Sequence, residues 1–173
     1  LRAAKRLTKA RRTAADALCQ AVAGELGQLA MDGAALSIHV QPRSGNGALD
    51  AHGADDIAFL FTPFPGAEPM PMGASASGGE LSRLMLALEL SAAGHGASGE
   101  QGAPMTFIFD EVDAGVGGRT AVELGRRLAR LARHAQVIVV THLPQVASWA
   151  QRQYVVSKGT DGEGRTGTRV REV

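Results

Sequence analysis

Two apolar runs constrain this chain more than any other feature. "MTFIFDEVD" (105–113) and "QVIVVTH" (136–142) each pass from unbroken apolar residues into polar ones. Between them, Arg119 to Arg133 has the period of an amphipathic helix. Leu124, Leu128 and Leu131 share one face; Arg126, Arg130 and Arg133 lie opposite and are expected to face solvent. Strand, helix and strand within about forty residues make a βαβ unit. Strands covered on both faces read as continuous apolar runs, not alternations. The expected sheet is therefore parallel and buried, with a right-handed crossover, and the fold class is α/β.

The rest of the chain is organised around that unit. Residues 2 to about 31 predict one long helix, with Leu7, Ala14, Leu18, Val22, Leu26 and Leu29 mostly on one face and no proline. Arg2, Lys5, Arg6, Lys9, Arg11 and Arg12 all precede the first acid, Asp16. A solvated face of a packed or coiled-coil helix is the preferred reading; a nucleic-acid contact is the sharper one. "LSIHV" (36–40) and "DIAFLF" (56–61) predict strands, able to pair as a hairpin across the turn-rich 43–55. Residues 62–76 hold four prolines and read as a loop. A helix from about Gly79 to Ala93 follows, with Leu81, Leu84, Leu88 and Ser91 or Ala92 on one face. "GHGASGEQGAP" (94–104) reads as a flexible surface loop. "QYVVSK" (153–158) and "TGTRVREV" (166–173) read as a closing hairpin around "GTDGEGR". There is no internal repeat.

The chemistry lies where these elements end. In an open α/β sheet, ligands bind at the carboxyl ends of the strands. Asp110 is placed there to hold Mg²⁺, a hard cation that takes carboxylate, water and phosphate oxygens. Glu111, one residue on, could polarise an attacking water. Such acids at a strand end follow the Walker B logic of nucleotide hydrolases. His142 ends the next strand and sits at the same edge, where it could donate to a phosphate or help hold the water. "SGGE" opens the earlier helix. Ser77 supplies an N-cap hydroxyl, Gly78 and Gly79 admit a ligand close to the backbone, and Glu80 suits the helix dipole. That start could hold an anion. Yet the three lysines are Lys5, Lys9 and Lys158, and none follows a glycine, so the phosphate loop G-x-x-x-x-G-K-[ST] is missing.

Signature-like S-G-G-E, then acids on a strand, then Thr-His on a strand is the order of the second half of an ABC-type ATPase head. "ASGGELSRLMLALEL", "FIFDEVDAGVGGR" and "VIVVTHLPQVASWA" resemble more closely the C-terminal part of the RecN family of bacterial DNA-repair proteins, SMC-like ATPases. The resemblance covers essentially the whole chain. It implies a long helix (1–31) ending a coiled coil and a C-terminal head lobe (32–173) closed by a hairpin. It implies that Asp110 is the Walker B acid, holding Mg²⁺ through water, and Glu111 the catalytic glutamate. Asp113 would lie in the D-loop that lines the interface between heads, and His142 would sense the γ-phosphate. Ser77, Gly78, Gly79 and Glu80 would grip ATP bound to an opposite head. Ala76 stands where many ABC proteins have Leu, and Glu80 where transporters have Gln, as in RecN and SMC heads. Implied partners are the chain's own N-terminal head lobe, which carries Walker A, a second head in an ATP-dependent homodimer, and DNA. The implied location is cytoplasmic and nucleoid-associated. The isolated chain is expected to be inactive.

Two other classes compete. One is a metal-dependent phosphoesterase using Asp110, Glu111, Asp113 and His142 directly. The other is a non-catalytic scaffold docking partners through the long helix. Composition separates few of these: 173 residues, 45% apolar, with a net charge of +1, suit one domain with or without an appendage. Aromatics are 4%, so the core is expected to be aliphatic. Neither basic stripe carries interleaved aromatics, so DNA contact would be with the backbone at most. Cys19 is the lone cysteine, which excludes an internal disulfide and fits a reducing compartment. No apolar run reaches membrane-span length, and no apolar segment follows the basic start as in a signal peptide. The sequence opens on Leu1, and it is expected to be a piece of something larger.

Overall fold

The structure is a computed structural model, and it describes residues 1–45, 48–72, 74, 77–94, 105–160 and 166–173. Helix α1 (Arg2–Leu26) is rich in Ala, Arg and Leu, strong helix formers, and carries no proline. It ends sooner than the periodicity predicts. A 3₁₀ turn over Gly27–Leu29 closes it, and Ala30 turns the chain through a left-handed conformation. Its inner face also differs from the expected one. Ala15, Val22 and Leu26 are buried, whereas Ala14 and Leu7 are exposed. The reason is polar. One turn earlier the same face carries Thr8 and Arg11, which donate to the buried Asp55 carboxylate (2.8 and 3.1 Å). An apolar count does not register that anchor.

Strands β1 (Ala35–Pro42) and β2 (Asp55–Thr62) form the expected antiparallel hairpin, Leu36 opposite Phe61 and Ile38 opposite Phe59. A two-residue strand, β3 (Met70–Pro71), adds to β2 inside the segment read as loop. Helix α2 (Gly78–Gly94) buries more of its circumference than one stripe: Arg83, Leu84, Leu86, Ala87, Leu90 and Ser91 are buried, Leu81 and Leu88 only partly. Strand β4 (Thr106–Phe109), helix α3 (Gly118–Leu131) and strand β5 (Gln136–Val139) form the βαβ unit. The two strands are parallel, with Ile108 opposite Ile138. A short helix, α4 (Pro144–Ala147), follows, too brief to leave a period in the sequence. Strands β6 (Tyr154–Thr160) and β7 (Thr166–Glu172) pair antiparallel as the closing hairpin. Its tip, 161–165, and most of the 94–104 segment lie outside the described residues.

The core sits where α1, α2 and α3 meet the first hairpin and the inner face of β4. Val22, Leu26, Leu29, Phe61, Leu84, Leu86, Val112 and Leu124 are fully buried there. Each such side chain contributes about 1.5–3 kcal/mol through the hydrophobic effect. One expectation fails at this point. The β4–β5 sheet is covered on only one face: Phe109 points inward, while Ile108 is 70%, Ile138 45% and Val140 58% exposed. Among the described residues, no helix is long and apolar enough to cross a membrane.

Candidate functional site

The first turn of α2 closes on itself. Ser77 Oγ accepts from Glu80 N (3.3 Å), and Ser77 N donates to Glu80 Oε2 (3.1 Å). This reciprocal capping box fixes the start of the helix. A hydroxyl that accepts from Glu80 keeps its own proton free to donate outward. Ala76, just ahead, lies outside the described residues. A Cβ on Gly78 would stand 2.7 Å from Glu111 Oε2. One on Gly79 would stand 2.8 Å from the Glu111 carbonyl oxygen and 2.9 Å from Ala114 Cβ. At Gly79 only glycine allows the helix to approach the acid turn this closely, whereas at Gly78 the neighbour is the movable end of the Glu111 side chain.

That turn follows β4. Asp110 and Glu111 are both exposed, and Asp110 Oδ1 accepts from Glu111 N (3.0 Å). Glu111 has φ +57, a left-handed conformation that costs a non-glycine residue roughly 1–3 kcal/mol. The turn holds it there, through Ala114 N donating to Glu111 O (3.0 Å) and the packing of Gly79. Helix α2 braces the same turn through carbonyls. Ser82 Oγ donates to Asp110 O (2.8 Å), and Arg83 Nη1 donates to Val112 O (3.3 Å) and Ala114 O (2.8 Å). Burial lowers the pKa of Arg83, with the nearby Glu80 charge working against that shift. Its Nε is buried without a hydrogen-bond partner among the described residues. Sequence reading passed over Ser82 and Arg83. The available signal was an arginine in the first turns of a mostly apolar helix.

Asp113 is not on a surface: it is 3% exposed. Its Oδ2 accepts from Thr141 Oγ1 and from His142 N (3.2 Å), and His142 Nδ1 lies 3.3 Å away. Thr141 Oγ1 in turn accepts from Leu143 N (3.0 Å). The His142 side chain is 75% exposed. The helix start, the acid turn and the histidine thus form one connected chain of contacts at the carboxyl ends of β4 and β5. They do not form a metal cage: among the described residues, no three His, Cys, Asp or Glu side chains gather so as to hold an ion. Asp110, exposed at the strand end, offers the kind of carboxylate that Mg²⁺ takes together with water and phosphate oxygens. Asp113 is occupied elsewhere, and a direct four-residue metal centre is not assembled.

Arg126, Arg130 and Arg133 of helix α3 are all exposed, as their spacing predicts, but not all of this charge is free. Arg126 is exposed and pairs with Glu123 (3.3 Å). Arg130 and its neighbour Arg127 both reach Glu25 of α1, at 2.6 and 2.8 Å. Much of this charge therefore ties two helices together.

Comparison with known proteins defines the class first. The fold is that of an SMC ATPase head: the chain aligns with the Smc head domain with an extended coiled coil from Pyrococcus furiosus, solved bound to the C-terminal domain of ScpA. The TM-score is 0.55 at 18% identity, over 91% of this chain and 35% of that one. No family model matches the sequence. The DNA repair protein RecN of Streptomyces coelicolor is 50% identical over 98% of this chain and 30% of its own length. That of Mycobacterium leprae is 47% identical over 92% of this chain and 29% of its own. Over nearly all of its length, the chain belongs to the RecN family. It spans about 30% of the length of the relatives it matches.

Proposed function

We propose that the chain is the C-terminal lobe of an SMC-like ATPase head acting in DNA double-strand break repair, with residues 1–31 ending a coiled coil. The observation that carries this reading is the junction at the strand ends. Glycines at an anion-competent helix start abut an exposed, conformationally strained glutamate, and the same turn reaches a histidine just beyond the end of the neighbouring strand. In this reading Asp110 helps to hold Mg²⁺ and Glu111 polarises the attacking water. His142 faces the γ-phosphate. Ser77, Gly78, Gly79 and Glu80 grip the phosphates of ATP carried by a second head.

The phosphate loop lies in a separate N-terminal lobe. The bare outer face of β4–β5 supports this, because a parallel sheet is ordinarily covered on both sides. A groove of about 260 Å³ runs beside it, lined by Leu81, Met85, Glu89 and Phe107 among others, and burial pushes the Glu89 carboxyl up. When bound, ATP with Mg²⁺ supplies the phosphoryl group that this chain's acids and histidine surround. The lobe's own contribution is to orient water, phosphate and the second head.

The test is a completed head, made by joining this chain to the remaining head segment of a relative such as the Streptomyces coelicolor protein. The isolated chain should hydrolyse no ATP, and the completed head should hydrolyse it and dimerise with it. Ser77→Arg should abolish the dimer and leave nucleotide binding largely intact. ATPase activity in the isolated chain, lost in Glu111→Gln, would refute the division into lobes.

A further inference from the structure

We propose that Asp113 is a positioning residue for His142, acting within its own chain rather than at the interface between heads. The proposal rests on the reading of His142 as the phosphate-facing histidine. A carboxylate 3% exposed must find donors to offset the loss of water. Among the described residues, the donors to the Asp113 side chain come from two consecutive residues at the exit of β5. Thr141 Oγ1 and His142 N donate to Oδ2, and His142 Nδ1 stands 3.3 Å from the same oxygen. The first holds the Thr141 side chain, the second the His142 backbone, and the third sets the ring. The imidazole is otherwise largely in solvent, where it would sample several rotamers and both tautomers. A carboxylate on the Nδ1 side keeps the ring proton at Nδ1 and turns Nε2 outward.

Asp113 also closes a frame. Ser82 and Arg83 bind the acid turn to α2, and Asp113 binds the same turn to the end of β5. Glu111 and His142 are thereby held in fixed relation, although they follow different strands. Reactivity that depends on two groups meeting one phosphate needs this kind of positioning.

Nitrogen-15 NMR of the imidazoles in the 173-residue chain tests the proposal directly. The wild-type His142 should carry its proton on Nδ1, and Asp113→Asn should lose that preference. A wild-type proton on Nε2 overturns the proposal, and so does an unchanged tautomer in the variant. The wild-type spectrum decides even if the variant does not fold. In the completed head, Asp113→Asn should lower kcat about 10- to 100-fold with KM little changed, the scale for carboxylates that orient a working histidine. Combined with His142→Ala it should cost no more than His142→Ala alone, since both remove one function. Additive losses would show that Asp113 acts by another route and overturn the proposal. The reading of His142 has its own separate test. If His142→Ala leaves turnover intact while the tautomer behaves as expected, that reading fails and the positioning geometry stands.

Discussion

The ends of β4 and β5 and the outward face of the same strands are built on opposite plans. At the ends, polar groups find partners inside the chain: Ser82 and Arg83 on three carbonyls, and Thr141 and His142 on Asp113. On the face, Ile108, Ile138 and Val140 present bare aliphatic surface. The first region is complete in this chain. The second has the composition of an interior and the exposure of a surface. The geometry of the acids and the histidine is therefore set by this chain's own bonds, whereas in the proposed function their activity depends on what covers the sheet.

The largest effect should come from the completed region. Glu111→Gln in the completed head is expected to lower turnover by about 10²–10⁴-fold, the span of a positioned general base. Glu111 is exposed, so thermal unfolding of the isolated chain should barely move. A variant that unfolds instead would mean that this glutamate is structural. Ile108→Asp attacks the bare face and comes next. It should leave the isolated chain's stability within about 0.5 kcal/mol, as at other exposed positions. Assembly with the added lobe should weaken by at least about 100-fold, because an unpaired carboxylate would be buried. Undiminished assembly would remove the contrast between the two regions.

Sequence pattern made one of these regions legible and misread the other. The strands, their parallel pairing and both hairpins follow from runs and alternations. Asp110, Glu111 and His142 follow from where the runs stop. The exposed face was misjudged because an unbroken apolar run does not say how many faces of the strand the same chain covers. Thr141, Ser82 and Arg83 were missed because their partners lie 28 or more residues away and leave no periodic trace. Asp113 was read as a D-loop residue between heads, since nothing in a short acidic run distinguishes a buried carboxylate from a solvated one.

Arg83→Met tests whether the brace on the acid turn matters. The thioether keeps most of the side chain's apolar volume and removes both carbonyl bonds. Leaving Val112 O and Ala114 O short of a donor should cost about 1–3 kcal/mol of stability, measured by urea unfolding of the isolated chain. In the completed head, turnover should fall as well, because Glu111 loses support for its left-handed backbone. Lost stability with full turnover would separate the brace from the chemistry.

Arg126→Ala should have the smallest effect, and it asks whether pairing or burial makes the junction strong. Arg126 meets Glu123 at 3.3 Å, a distance comparable to those at the junction, but its side chain is 63% exposed. Exposed pairs of this kind contribute about 0.2–1 kcal/mol, since water competes for both charges. The same urea measurement should therefore show a shift well below that of Arg83→Met, shrinking further as salt is raised. Equal losses from the two arginines would mean that burial adds nothing to the brace. A negligible loss at Arg126 would place the strength of the junction in its exclusion of water, which an uncovered sheet face only a few residues away does not share.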